Sequence, residues 1–249
     1  MYNVCMIDED NLIKNKLFDM ANKAYSRGIP LNSHFLNLHE QEIFNIHKKS
    51  LEFSHPILFG GHELCERKCV FFNDEHFWNL VCLKISPQNE KYAEKLHHKD
   101  FLGAIMNLGV DNSMIGDLFV LDNVGYLFCL KSISDFFVQN LLSVKRTKVF
   151  VEIVNVSEVL VFKKFKTLVF YVESSRIDLI VSKMYHLSRS EGQVLAKSGD
   201  VFVNDVACKN QSLELKEGDI VSVRHKGKFR VDKIEKVDFK NKVVLKIYS

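Results

Sequence analysis

The stretch RIDLIVSKMYHLSRSEGQVLAKSGDVFVN, which runs from Arg176 to Asn204, decides the fold of the last third of the chain. It predicts two short helices, then a tight turn and a strand. The first helix is expected to begin after Ser175, whose hydroxyl would cap the free amides of the first turn. A buried stripe on this helix is indicated by apolar residues at helical spacing, namely Ile177, Ile180, Val181 and Met184.

The second helix has a clear beginning at Ser188. Ser188 and Glu191 have the S-x-x-E spacing of a capping box, in which each side chain bonds the backbone amide of the other residue. Because helix amides and a neighbouring guanidinium attract the same anion, Arg189 is a candidate phosphate ligand. The exposed face of the helix is expected to carry one row of polar side chains, namely Arg189, Gln193 and Lys197.

Regularly spaced cations follow in the strands. A regular strand would put every second residue from Arg224 to Arg230 on one face, unless a turn at Gly227 interrupts it. A solvated charged face is the alternative for such cations, but together with the capped helix they favour RNA. The predicted RNA-binding residues are Arg176, Ser188, Arg189, Gln193, Lys197, Lys209, Arg224, Lys226, Lys228 and Arg230.

The charge of the chain is unevenly distributed. The net charge is only +3, but from Ser175 onward there are 15 Lys and Arg against 10 Asp and Glu, a net +5. The first 174 residues hold 19 against 21, a net −2. This concentration of positive charge is expected where a protein meets a polyanion.

The C-terminal pattern resembles the S-four (S4) RNA-binding domain. The residues that carry the resemblance are Arg176, Asp178, Ser188-Arg-Ser190, Gln193, Gly199, Val203-Asn204, Gly218-Asp-Ile220 and Arg224. The sequence departs from the family at Gly192, where Ala is usual, and at Asp205, where Gly is usual. Gly192 should cost about 1 kcal/mol of helix stability, and Asp205 must accept a turn conformation, which Asp tolerates.

The N-terminal part, residues 1–72, is predicted to be helical. One stripe holds Leu12 and Leu17, and a second helix from His39 to Leu51 is expected to bury Ile43, Phe44 and Ile46. Further on, Gly60-Gly61 precede Arg67 and Lys68, which are possible secondary RNA contacts. The glycine pair lacks the pattern of a nucleotide-binding loop, and a simple turn explains it equally well.

Residues 73–155 alternate between strand and helix patterns in the order β-α-β-β-α-β. This order predicts a ferredoxin-like fold, as in RRM-type RNA-recognition domains. Tyr126 and Phe128 lie on one face of the third strand. They are either half-buried core residues or secondary RNA contacts. A linker with a strand (156–173) and the S4 domain (174–249) complete an α+β chain.

With these features, the resemblance extends to the bacterial YlmH family. It is carried by Gly60-Gly61, Glu66-Arg-Lys68, Asp100-Phe-Leu-Gly-Ala104 and Ile115-Gly-Asp117 together with the S4 pattern. The resemblance implies a non-catalytic binder of rRNA and tRNA on the large ribosomal subunit with peptidyl-tRNA, in ribosome-associated quality control of stalled translation. We also expect the protein to be a monomer away from the ribosome.

Two other classes of function stay open. S4 domains also accompany pseudouridine synthases and methyltransferases, but the R-x-D at Arg176 already belongs to the S4 pattern, and Gly103 and Gly60-Gly61 supply no cofactor loop. The third class is a protein-interaction adaptor that uses the N-terminal helices.

Composition points to a cytoplasmic protein without cofactor or metal. The six cysteines form no C-x-x-C pair, which favours reduced thiols over a zinc site. No signal peptide is expected, because Met1 leads into the acidic residues 8–10. No apolar run approaches the ~18 residues of a membrane span.

Overall fold

The computed structural model describes residues 2–62, 65–77, 79–155 and 165–248. The protein is of the α+β class, as predicted, with an N-terminal helical region, a central β-sheet and a small mixed C-terminal domain. The chain divides into two compact units, Met1–Val161 and Phe162–Ser249. The finer division into four regions stays a prediction. No helix of the described residues is long and apolar enough to cross a membrane.

Two helices and a small sheet form the beginning of the first unit. The helices are α1 (Tyr2–Arg27) and α2 (Leu38–His47), and a 3-10 helix (Lys48–Ser54) follows α2. The small antiparallel sheet has the order β1-β3-β2 and was not predicted within the helical region. Its strands have too few residues to show an alternating pattern; they are β1 (Leu31–Asn32), β2 (Ile57–Phe59) and β3 (Cys69–Phe72).

The apolar stripes predicted for these helices are partly wrong. Leu17 and Phe44 are buried, together with Val70 of β3, but Leu12 and Ile46 are exposed. Successive helical residues are about 100° apart around the axis. Leu12 therefore lies about 140° from Leu17, and Ile46 about 200° from Phe44, on the exposed faces of their helices.

The ferredoxin-like topology of the middle region is confirmed. The five strands are antiparallel and have the order β5-β6-β4-β8-β7. Asp122 and Asn123, both with positive φ, make the predicted turn between β5 and β6. The elements are β4 (Leu80–Pro87), α3 (His98–Met106), β5 (Ile115–Leu121), β6 (Val124–Leu130), α4 (Ser134–Asn140), β7 (Ser143–Val144) and β8 (Thr147–Val154).

Both faces of this sheet are covered. On one face, α3 and α4 pack Phe101, Ile105 and Phe137 against the strands, whereas Leu102 is exposed. On the other face, Phe128 of β6 packs with Phe35 and Phe71 from the N-terminal region. RRM domains bind RNA on the sheet face opposite their helices. In this protein that face is occupied by the protein's own N-terminal residues.

The second unit is a six-stranded antiparallel sheet with two helices on one side. The strand order is β11-β10-β12-β13-β14-β9, so β9 and β11 are the edges. Val221, Phe229, Val243 and Leu245 point to the helices and are fully buried. The elements are β9 (Phe165–Val172), α5 (Ile177–Met184), α6 (Arg189–Lys197), β10 (Val201–Val203), β11 (Val206–Ala207), β12 (Ile220–Val223), β13 (Gly227–Val237) and β14 (Lys240–Tyr248).

Candidate RNA-binding surface

The start of α6 has the predicted capping box. Ser188 Oγ accepts a hydrogen bond from the Glu191 backbone N–H at 3.2 Å, and the Ser188 backbone N–H donates to Glu191 Oε2 at 2.7 Å. The hydrogen bonds that the Glu191 carboxylate accepts from the Ser188 side chain and from the Ser188 backbone N–H, and more weakly the charge of Lys226, hold the pKa of Glu191 below its ordinary value. The first turn of α6 is thereby fixed in direction, and Arg189 is exposed on it.

The start of α5 differs from the prediction. Its N-cap is Arg176, and no side chain caps the helix there, so the expected cap by Ser175 is wrong. The chain before α5 is instead held by backbone bonds: the Ile177 N–H donates to the Leu213 carbonyl at 2.8 Å, and the Leu215 N–H donates to the Ser175 carbonyl at 3.0 Å. A tertiary contact has therefore replaced the local cap.

The Arg176 guanidinium is bound to Asp178. Its Nε and Nη2 donate to the two carboxylate oxygens at 3.1 and 2.8 Å, and the Asp178 side chain is fully buried. The hydrogen bonds from Arg176 to Asp178 raise the pKa of Arg176 above its ordinary value. Because two of its donors are used inside the fold, Arg176 has a structural role beside any contact with RNA.

Gly192 is the point where α6 approaches α5. A Cβ at this position would lie 2.7 Å from the Asp178 carbonyl oxygen and closer still to Ser182 Oγ. The Ser182 hydroxyl donates to the Asp178 carbonyl at 2.6 Å, so it cannot turn away without losing that bond. The departure from the usual Ala is therefore explained by packing between the helices.

The cations predicted to share one strand face are separated by a turn. Arg224 and Lys226 lie in the turn between β12 and β13, where His225 and Gly227 have positive φ. Only Lys228 and Arg230 lie on β13. The four cations therefore do not share one face, because a turn interrupts the strand just before Gly227, which is the alternative that the sequence left open.

The turn brings its two cations to opposite ends of α6. Lys226 lies near the start of α6, 5.7 Å from the ring of Tyr185, and it acts on the charge of Glu191. Arg224 lies near the end, where its Nη1 is 3.3 Å from Asp200 Oδ1 and its guanidinium is 5.9 Å from the ring of Phe202. A cationic surface therefore extends along α6.

Two motif residues of the strands are structural. Asn204 Oδ1 accepts from the Ile220 N–H at 2.9 Å, and its Nδ2 donates to Asp219 Oδ1 at 2.9 Å. The second Asp219 oxygen accepts from the Lys216 N–H at 2.7 Å. Asp205 follows with a φ of 67°, as its turn position requires. This network closes the β10–β11 turn on the start of β12.

The remaining predicted residues lie on several different elements. Lys197 is exposed on α6 and Gln193 is half-buried there, while Lys209 is exposed after β11. Arg230 is 3.4 Å from Asp232, which also binds Lys246 at 2.8 Å, so its charge is partly neutralised on the outer face of the sheet.

Beside the start of α6 there is an open groove of about 590 Å³. It is lined by Arg189 and by residues that were not predicted, among them Tyr171 at the end of β9, Lys183 at the end of α5, His186 between α5 and α6, and Lys240 at the start of β14. The sequence did not indicate them, because Tyr171 and Lys240 lie far from Arg189 along the chain, and Lys183 and His186 belong to no recognised motif.

Comparison with known proteins agrees with these features. The family model described as "Putative RNA-binding domain in YlmH" matches residues 74–158, and the model described as "S4 domain" matches residues 175–221. These matches, with the relative described next, support a YlmH family protein with a C-terminal S4 domain. Its RNA-binding domains are thus a ferredoxin-like YlmH domain and a C-terminal S4 domain, as the sequence predicts.

Two relatives can be compared in detail. The chain is 28% identical to "Ribosome-associated protein quality control protein P2" of Bacillus subtilis (strain 168). The aligned region is 185 residues long and covers 71% of this chain and 70% of that protein. A solved structure, "Cell division protein ylmH from Streptococcus pneumoniae", is 20% identical and has a TM-score of 0.45 over 60% of this chain and 93% of that chain. At this TM-score the structural likeness does not establish a shared fold.

In the YlmH domain, the prediction that Phe128 is a possible secondary RNA contact is wrong. Its ring is fully buried in the cluster that also contains Phe35 and Phe71, so it has no face for a base. Tyr126 is half-buried beside the same cluster. The alternative that both aromatics are core residues therefore agrees with the packing.

Arg67 and Lys68 precede the YlmH domain and are half-buried. Arg67 Nη2 donates to the Phe35 carbonyl at 3.2 Å. The nearby glycines serve packing, since a Cβ on Gly60 would lie 2.7 Å from Cys65 Cβ, and Gly61 lies directly against the Phe128 ring. These contacts explain the glycine pair without a phosphate ligand.

Five cysteines are buried free thiols, namely Cys65, Cys69, Cys82, Cys129 and Cys208. Burial raises the pKa of Cys82 to about 12 and also raises the pKa of Cys69 and Cys129. Such thiols are poor nucleophiles near neutral pH. Among the described residues, no group of three or more His, Cys, Asp or Glu is arranged to hold a metal ion.

Proposed function

We propose that this protein is a non-catalytic RNA-binding protein that binds rRNA together with tRNA on the large ribosomal subunit, in quality control of stalled translation. The name of its Bacillus subtilis relative, a ribosome-associated quality control protein, supports this role. The proposal places the protein in the cytoplasm, as a monomer when it is not on the ribosome.

The observation that carries the proposal is the start of α6. There the capping box fixes the helix N-terminus, and Arg189 lies exposed on the first turn with Lys226 nearby. In the described part of the chain, Arg189 forms no ion pair with a carboxylate. A phosphate at this position would be attracted by both the helix N-terminus and the guanidinium.

The remaining predicted cations would extend the same footprint. Lys197 continues the row along α6, and Arg224 and Lys226 project from the β12–β13 turn. Contacts of this kind are made with the RNA backbone and position the protein without reading sequence. Structured RNA of the large subunit, with a tRNA beside it, is a target for such a surface.

Sucrose-gradient sedimentation with purified ribosomal subunits tests the proposal. The full chain is mixed with large subunits that carry peptidyl-tRNA, with empty large subunits and with small subunits. We expect the wild type to travel with large subunits and most strongly with those that carry peptidyl-tRNA. Arg189→Ala should remain at the top of the gradient.

Arg27→Ala is the matched control, because Arg27 is an exposed arginine at the end of α1, outside both matched RNA-binding domains. It should sediment as the wild type does. If the wild type itself stays at the top at low salt, ribosome binding is wrong, and an RNA-modifying activity on free RNA becomes the next hypothesis. If Arg27→Ala alone is lost from the subunits, the N-terminal helices carry the interaction.

A further inference from the structure

The groove beside α6 is concave and is lined mainly by positively charged side chains among its ionisable residues. Its volume is about 590 Å³, and it lies between the end of β9, the second half of α5 and the start of β14. Lys183, Arg189 and Lys240 line it together with His186, and Glu173 is the acidic residue among its lining side chains. The groove therefore carries an excess of positive charge.

These cations differ from those of the neighbouring sheet. On the strands, Arg230 and Lys246 pair with Asp232, and Lys233 and Lys242 pair with Glu235. Within the described ranges, no ion pair with a carboxylate is formed by Lys183, Arg189 or Lys240. These four strand cations are neutralised by carboxylates, whereas the cations around the groove remain available to an anion.

An exposed aromatic residue lies next to the groove. Phe239 is 98% exposed in the turn of the β13–β14 hairpin and directly precedes Lys240, which lines the groove. The turn does not require a Phe, because the residue with positive φ is Asp238. Phe239 also adds nothing to the core, so its ring is free to contact a ligand.

A second exposed aromatic residue lies at the same end of the sheet. Tyr171 is 52% exposed, lines the groove, and pairs with Lys242 across the β9–β14 ladder. The ladder continues to Val172 and Asn241, so the groove and the hairpin turn lie at one end of the sheet. Two aromatic residues, Phe239 and Tyr171, therefore lie at the end of the sheet where Lys240 lines the groove.

We propose that this groove binds a single-stranded RNA segment, with an unstacked base on Phe239 or Tyr171 and backbone phosphates on Lys183, Arg189 and Lys240. Single-stranded nucleic acid is bound by this combination of stacking aromatics and a cationic groove. RNA loops and ends offer unstacked bases, whereas the bases of a duplex are already stacked. The proposal rests on the proposed function, since Arg189 belongs to both surfaces.

Fluorescence anisotropy with two labelled RNAs tests the groove. One RNA is a blunt hairpin, and the other is the same hairpin with a short single-stranded oligouridine extension. We expect the full chain to bind the extended RNA more tightly. Phe239→Ala should lose about tenfold in affinity for the extended RNA and be unchanged on the blunt hairpin, because one stacked base is lost.

Tyr92→Ala is the matched control, because Tyr92 is 78% exposed in the first unit and lies far in sequence from the groove. It should bind both RNAs as the wild type does. A wild type that binds both RNAs equally, or a Phe239→Ala variant with unchanged affinity for the extension, would overturn the groove assignment and leave RNA binding by α6 intact. Absence of binding to either RNA would instead count against the proposed function.

Discussion

The Arg176 guanidinium holds both carboxylate oxygens of Asp178, at 3.1 and 2.8 Å, and the Asp178 carboxylate is fully buried. Asp178 Oδ1 also accepts a hydrogen bond from the Leu179 N–H at 3.0 Å. A buried carboxylate without its partner is strongly unfavourable. In this protein, the primary role of the R-x-D motif that identifies the S4 domain is therefore to stabilise the start of α5.

Replacement of Arg176 should lower the stability of the C-terminal unit. Arg176→Gln leaves the Asp178 charge without its bidentate partner, and because Arg176 is partly exposed we expect a fall in Tm of roughly 5–10 °C. Circular dichroism melting curves measure this effect. RNA affinity measured well below the Tm should change little. An unchanged Tm with a large loss of affinity would instead make Arg176 a direct RNA ligand.

The contact between Gly192 and α5 predicts that replacement of Gly192 by Ala lowers the stability, whereas helix propensity alone predicts that it raises the stability. Gly192→Ala should lower the Tm, because the new methyl group would meet the Asp178 carbonyl oxygen and the Ser182 hydroxyl. Propensity alone would favour Ala by about 1 kcal/mol. Denaturant unfolding of the full chain gives the free-energy change.

Gly103→Ala in α3 is the matched control for this substitution. Gly103 is also a helical glycine, but nothing lies within 4 Å of a Cβ built there. It should raise the stability of its unit by about 0.5–1 kcal/mol. If both variants gain stability, then α6 can shift away from α5 at no cost, and the packing argument for Gly192 is wrong.

Arg189 should contribute to the salt dependence of RNA binding. If it neutralises one phosphate, the slope of log K against log salt should become less negative by about 0.7–0.9 in Arg189→Ala. Affinity itself should fall roughly tenfold to a hundredfold at low salt, with no change in the melting curve. Titrations at several KCl concentrations give the slope, and Arg27→Ala should keep the wild-type value.

The capping box predicts a pH dependence of stability. The folded-state pKa of Glu191 is lowered below its ordinary value of 4.5 by hydrogen bonds from Ser188. Its contribution is therefore fully present above pH 4.5 and is lost as the pH falls through the lowered pKa. Glu191→Gln should unfold more easily than the wild type at pH 7, and the difference should shrink below pH 4.5.

Urea titrations at pH 7 and in the acid range measure that difference. Ser188→Ala is a useful companion, because loss of an N-cap costs about 1 kcal/mol at either pH. If the wild type and Glu191→Gln differ equally at all pH values, the Glu191 charge does not contribute to the cap.

Most of the correct predictions rest on residues that lie close together along the chain. The S-x-x-E spacing at Ser188 contains both partners of the capping box within one turn, so nothing distant can change it. From Leu80 to Val154, the order of strand and helix patterns can likewise be read along the chain, and this order predicts the ferredoxin-like topology. Positive φ at Asp205 was expected from turn chemistry in the same way.

The errors occurred where a distant part of the chain decided the outcome. The Ser175 cap was replaced by backbone bonds to the segment near Leu213, about 40 residues further on. The ring of Phe128 was buried by residues from the N-terminal region, which periodicity in β6 cannot show. The strand face of four cations was interrupted at Gly227, whose φ depends on the pairing of β12 with β13.

The sequence by itself determined the class of fold, the family resemblance and the helix start that presents Arg189, because each depends on residues that are neighbours along the chain. Only the tertiary structure decided which cations are neutralised and which remain available. It paired Arg230 and Lys246 with Asp232 on the sheet, and it brought Lys183, Arg189 and Lys240 from three separate elements to one groove. Electrostatic interactions depend on distance in space, and that distance cannot be read from spacing along the chain.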